Sequence, residues 1–222
     1  MRNRKYAASG SGAGAGGAKT DGAARNCYHG VMSEIAEVLD FWFGAPESPE
    51  RGRPRKCWFE KDEAFDAEVR SRFVRVHRRA AAGKLSRWER TPHAALALAV
   101  VLDQFPRNMF RGEARAFAAD ALALRVARRM VDHGFDSLLR PVERWFVYLP
   151  FEHAEDLAAQ RRSVALFGGL AGDPDSPGTI DYAHRHYDII ARFGRFPHRN
   201  AMLGRESTAE EKLFLSQPGS GF

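Results

Sequence analysis

The chain has 222 residues, 44% of them hydrophobic and 28% charged, with two cysteines and a formal net charge of +6. This length and composition suit one globular domain with a sizeable core. Two cysteines exclude a disulfide framework and a cysteine-based zinc site, and such sparing use fits a reducing, cytoplasmic setting. The longest purely apolar run, Ala94 to Leu102, has nine residues, against the ~20 that a membrane span needs. Residues 1–31 hold five basic residues and one acidic residue, which leaves only +2 for the rest. The folded part is therefore near neutral, and no nucleic-acid partner is expected. Arginine outnumbers lysine 28 to 6, so arginine position informs more than arginine number.

Residues 1–31 form a basic tail rich in Gly and Ala, a composition that predicts disorder. A single domain is expected over 32–222, with Met32 an alternative start and Ser33 the first helix cap. Ile35, Val38, Leu39 and Trp42 recur at helical spacing, and Gly44 closes that helix. Residues 45–56, rich in Pro, Gly and charge, predict a loop. Asp62 caps a second helix whose face is Phe65, Val69, Phe73, Val76 and Ala80, with Gly83 as its stop. Thr91-Pro92 opens a third, apolar on all sides and therefore enclosed, which Pro106 is expected to end. A continuous helix is predicted from Glu113 to His133. Pro141 opens a short helix to Tyr148, and Pro150 opens another to about Phe167. Residues 168–180 predict a loop, Tyr182 to Phe193 a helix, and Ser207 with Glu210 a capping box for a last helix through Leu215. No run of strand alternation occurs. The fold class is all-α, with about seven or eight helices stacked antiparallel through mostly short loops.

Four segments carry low-frequency residues in close order. They are Trp58-Phe59 with Asp62 and Phe65-Asp66; Leu102-Asp103-Gln104-Phe105-Pro106-Arg107-Asn108 with Arg111 and Ala116-Phe117-Ala118; Tyr148-Leu149-Pro150-Phe151-Glu152-His153 with Glu155; and Arg192-Phe193-Gly194-Arg195-Phe196-Pro197-His198-Arg199-Asn200 with Gly204-Arg205. Together they resemble the bacterial "domain of unknown function 924" family, from about residue 34 to the end of the chain. The resemblance implies a tetratricopeptide-like superhelical arrangement of the helices. It implies no settled activity, so chemistry has to come from the residues.

Asp103 follows an enclosed apolar stretch and needs a partner to stay charged, which Arg107 or Arg111 can supply. His153 falls at the interior side of the helix expected after Pro150, where a neutral imidazole is favoured. Glu152 and Asp156 fall on the outer arc. His186 shares a face with Tyr182, Ile189 and Phe193. Arg192, Arg195 and Arg199 surround a turn stiffened by Gly194 and Pro197, which suits guanidinium groups that grip carboxylate or phosphate. No pair of histidines three or four apart on one helix is present, and no metal site is expected.

Two readings follow. In the first, Arg107, Arg111, Arg192, Arg195 and Arg199, with Asn108, Asn200 and His186, bind a small anionic molecule or a peptide terminus. In the second, His153 or His198 is the general base of a hydrolase, possible metal assistance included, with Asp103 orienting the imidazole and Arg195 stabilising negative charge. The first is the leading expectation. Geometry separates them: a histidine and a carboxylate within hydrogen-bond reach favour the enzyme, and an open arginine-lined groove favours the binder. The residues specify no cofactor, substrate or oligomeric state. No membrane partner is expected.

Overall fold

The computed structural model describes residues 21–221, with side-chain surroundings from residue 32 onward. Its helices are α1 (Asp21–Phe43), α2 (Glu63–Ala81), α3 (Pro92–Met109), α4 (Asp120–Asp132), α5 (Pro141–Glu152), α6 (Leu157–Gly168), α7 (Pro177–Phe193) and α8 (Ala209–Leu215). No strand occurs among the described residues. None of these helices is long and apolar enough to cross a membrane. Ser33 lies inside α1, so it does not cap it. Of the predicted tail, residues 1–20 lie outside the described residues.

From Ile35 onward the chain is one contact unit. Its starts and stops follow local chemistry. The Asp62 carboxylate accepts from the amides of Ala64 and Phe65 at 2.9 and 3.1 Å and opens α2. Pro92 opens α3, where its missing amide hydrogen costs no helix bond. The loop after α1 folds back as a cap. Arg55 donates to the carbonyls of Phe41 and Trp42 at 2.7 and 2.8 Å, and the Trp58 indole donates to Trp42 at 2.9 Å. These bonds satisfy carbonyls that a helix end leaves open.

The core has an aromatic centre. Trp42 is fully buried, stacked at 6.1 Å on Trp58 and edge-on to Phe105 and Phe146 at 5.5 Å. Rings so arranged contribute ~0.5–1.5 kcal/mol a pair beyond the area they bury. α3 packs against α2, α4 and α5, and α5 packs against α4, α6 and α7. Every residue of α3 from Ala94 to Pro106 is buried, as its all-round apolar sequence predicts.

Four further expectations need correction. Pro106 does not end α3, and Pro150 lies inside α5. A proline inside a helix costs ~3 kcal/mol, and both sit in fully buried stretches where packing outweighs that cost. The helix predicted over 113–133 is split, with a 3-10 turn at Ala114–Phe117 before α4. The last capping box is one residue later than predicted. Thr208 accepts from the Glu211 amide at 3.1 Å, and Glu211 accepts from the Thr208 amide at 2.7 Å.

Candidate functional site

Continuation of α5 through Pro150 decides the local electrostatics. Glu152 and His153 sit at the C-terminal end of α5, with His153 as its cap residue, and not in a first turn. A carboxylate at that end meets the negative pole of the helix dipole. Asp156 is the N-cap of α6 and accepts from the Ala159 amide at 2.8 Å. Asp103 lies in the middle of α3, on the side shared with α5.

Asp103 and His153 meet directly. The His153 Nδ1 lies 2.8 Å from Asp103 Oδ1. An ionised carboxylate only accepts, so Nδ1 carries the proton and Nε2 the lone pair. The other Asp103 oxygen accepts from Gln104 Nε2 at 2.6 Å. Burial alone would raise the Asp103 pKa, but the charge of Arg107 and the contact with His153 hold it well below the usual carboxylate range. Burial, then the neighbouring Arg107 charge, lowers His153 and keeps its imidazole neutral. The His153 side chain is 13% exposed against 1% for Asp103, so the imidazole forms the solvent-facing end of the pair.

Two guanidiniums frame the pair. Arg107 donates to the Asp103 carbonyl at 2.6 Å and grips Asp120 with two bonds of 2.9 and 3.0 Å. Arg199 reaches the same Asp120 at 3.3 Å and the His153 carbonyl at 3.1 Å. Both lie over the Phe117 ring, at 5.8 and 4.7 Å. Burial, then Arg107, lowers Arg199 to about 10, which still leaves it charged at neutral pH. Its Nε is buried with no hydrogen-bond partner.

Glu152 and His186 stand beside this group. His186 Nδ1 donates to the Tyr182 carbonyl at 2.9 Å and lies 3.1 Å from Glu152 Oε1. The His153 and His186 rings are 6.3 Å apart. Glu152 is 3% exposed, and its Oε2 has no hydrogen-bond partner. Burial, then the charge of Asp103, pushes Glu152 up to about 8. Burial pushes His186 down to about 3 and His198 down to about 4. In the cluster the carboxylates of Asp103 and Asp120 thus face the guanidiniums of Arg107 and Arg199. No group of three His, Cys, Asp or Glu among the described residues is arranged to hold a metal ion.

Of the other expected residues, His198 lies close enough to Arg199, His153 and Arg107 to feel their charges, and the rest are placed elsewhere. Arg111 forms a fork of 2.7 and 2.9 Å on Asp66, which Asn108 also reaches at 2.7 Å. Arg192 pairs with Glu210 at 2.8 Å. Arg195 holds Glu211 through bonds of 2.7 and 2.8 Å and the Glu206 carbonyl at 2.9 Å. Asn200 donates to Ser207 at 3.0 Å and Glu211 at 3.3 Å, and accepts from Arg205 at 3.0 Å. His198 packs beside Phe196 with ring centres 5.6 Å apart. Arg205 and the Phe196 amide both hold Glu155. The Asp66 contacts tie the end of α3 to α2, and the others tie the C-terminal segment to itself and to the turn before α6.

Two members of the cluster were not among the expected site residues. Asp120 opens α4 and looks like an ordinary first-turn acid. Glu152 looks like a surface acid as long as Pro150 is taken for a helix start. For Glu152 the available signal was the apolar run Trp145 to Phe151, which continues the α5 pattern through the proline.

The molecule is thus an all-α protein carrying a buried Asp–His pair flanked by two arginines. The chain belongs to the family described as bacterial protein of unknown function (DUF924), whose model matches residues 38–219. A solved structure of a protein of unknown function from Agrobacterium tumefaciens is similar to it, with 41% sequence identity and a TM-score of 0.74, covering 84% of this chain and 98% of that one. Comparison with curated proteins found no match.

Proposed function

We propose that Asp103 and His153 form the acid–base centre of a hydrolase-type enzyme. The carrying observation is the 2.8 Å contact between Asp103 Oδ1 and His153 Nδ1. It orients the imidazole and leaves Nε2 as the basic nitrogen. In this reading Nε2 takes a proton from an attacking water as the water oxygen adds to the substrate. The imidazolium that forms is stabilised by Asp103 and returns its proton to the leaving group. Arg107 and Arg199 offset negative charge developing on the substrate. Because Asp103 and Asp120 already balance these arginines, the site favours a neutral or singly charged substrate over a polyanion.

Activity toward p-nitrophenyl acetate, p-nitrophenyl phosphate and an anilide substrate tests this reading. Hydrolysis by the native chain that falls ~10²–10⁴-fold in His153→Ala and Asp103→Asn supports it. Equal rates in native and variant chains, or no hydrolysis of any of the three, overturn it.

The second reading, an anion-binding site, keeps one specific support: the buried Arg199 Nε has no partner and offers a donor to a ligand acceptor. Under this reading the cluster binds without turnover, and the same His153→Ala variant retains the ligand. We also infer that the helices adopt a tetratricopeptide-like arrangement, in which α3, α5 and α7 form an inner row. The support is that α3 touches α5 and α5 touches α7.

A further inference from the structure

The arginines expected to hold an anion are largely occupied by carboxylates. Asp120 takes Arg107 and Arg199, Asp66 takes Arg111, Glu210 takes Arg192 and Glu211 takes Arg195. A different arrangement lies between α4, α5 and α6. A cleft of about 240 Å³ opens there, with Val131, Phe151, Ala158 and Ala159 as its apolar lining and Arg128, Asp132 and Arg162 as its charged lining. Phe151 and Ala159 are buried core residues, 3% and 2% exposed, so the floor is rigid packing.

The charged lining forms no ion pair among the described residues, and Arg162 lies close enough to Tyr148 to act on its hydroxyl. On α4 the neighbours Arg125 and Arg129 both turn to Glu89, at 3.6 Å each. Arg128 points to the cleft instead and makes no ion pair with a described residue, and neither does Arg162 or Asp132. Two guanidiniums against one carboxylate leave a lining of +1. That matches a monoanion and disfavours a phosphate, which carries a second negative charge near neutral pH. A carboxylate is the monoanion whose two oxygens suit a guanidinium fork. The apolar floor offers burial to a hydrocarbon body. The cleft is smaller than the ~300–1,000 Å³ of drug-sized pockets, which limits that body to a short chain or a single ring.

We propose that this cleft binds a small monocarboxylate with an apolar body, its carboxylate between Arg128 and Arg162 and its hydrocarbon on Phe151 and Ala158. The site shares no residue with the Asp103–His153 cluster and does not depend on that cluster being catalytic.

Calorimetric titration of the full chain with phenylacetate and with hexanoate tests it, with 2-phenylethanol and inorganic phosphate as controls. Expected is saturable binding of the carboxylates and at least tenfold weaker binding of both controls. Arg128→Ala and Arg162→Ala each weaken carboxylate binding about tenfold, and the double variant abolishes it. Both side chains are exposed, so folding is retained, which melting curves verify. Ala158→Leu fills the floor and also abolishes binding, while His153→Ala leaves it unchanged. No binding of either carboxylate, binding that survives the double variant, or phosphate binding as tight as phenylacetate would each overturn the assignment.

Discussion

Glu152 is the residue whose chemistry departs furthest from its sequence appearance. Its carboxyl is buried at the unfavourable end of α5, near Asp103 and beside a His186 imidazole that burial keeps neutral. The unfolded chain releases its proton near pH 4.5, and the folded chain holds it up to about pH 8. Between these values the folded state binds more protons, so this residue makes stability fall as pH rises. His186 and His198 act oppositely. Their folded pKa values, about 3 and about 4, lie below the ordinary 6.5, so stability rises with pH up to about 6.5. The melting temperature is therefore expected to peak between pH 6 and 7. Glu152→Gln keeps the neutral shape and removes the alkaline decline while leaving the acid limb in place. Parallel melting curves for the two proteins from pH 6.5 to 8.5 would mean that Glu152 is ionised in the fold.

Arg195 gives the complementary case. The stiff turn between Gly194 and Pro197 was legible in the sequence, and Gly194 does take the left-handed conformation at φ +69°. The partner was not legible, because Glu211 lies sixteen residues on and reaches Arg195 only when α8 folds back. Arg195→Ala is expected to lower the melting temperature by several degrees, with Arg195→Lys intermediate because an ammonium loses the two-bond fork. The loss should shrink when Glu211 is also changed to Gln, as measured by a double-variant denaturation cycle. Additive losses would show that the two side chains do not depend on each other.

At the scale of elements, two prolines account for the boundary differences at α3 and α5. A proline commonly opens or ends a helix, and sequence cannot separate those roles from an interior position held by tertiary packing. Pro92 and Pro141 do open helices, whereas Pro106 and Pro150 lie inside them. The difference is burial on every side, which is a property of neighbouring helices. It shifted His153 from a helix start to a helix end without altering its meeting with Asp103, since α3 and α5 pack together either way. The short α8 depends on its cap. Thr208 and Glu211 satisfy each other's amides at the start of a seven-residue helix. Thr208→Ala is expected to cost ~1 kcal/mol in urea unfolding, and Ser207→Ala less. A larger cost for Ser207→Ala than for Thr208→Ala would place the cap at the residue that the sequence pattern favoured.

For the whole molecule, the all-α class was legible in the sequence, because α2 and α7 show a buried face at helical spacing, α3 is apolar and buried on all sides, and no strand alternation interrupts them. The convergence of segments as distant as Asp103 and Arg199 did not, since it rests on which helices become neighbours. Where the cooperative unit starts is testable. Contacts place Ile35–Phe222 in one unit, and the α1 residues that pack into it are Ile35, Val38, Leu39, Trp42 and Phe43, all buried. Removing residues 1–34 spares every one of them and is expected to leave the melting temperature within a few degrees of the native chain. Removing residues 1–39 also deletes Ile35, Val38 and Leu39. Each such side chain contributes ~1.5–3 kcal/mol when buried, and a domain holds only ~5–15 kcal/mol in all. The longer truncation should therefore unfold or melt far lower, while the shorter one stays native. A large loss already at residue 34 would move the start of the cooperative unit into the preceding segment.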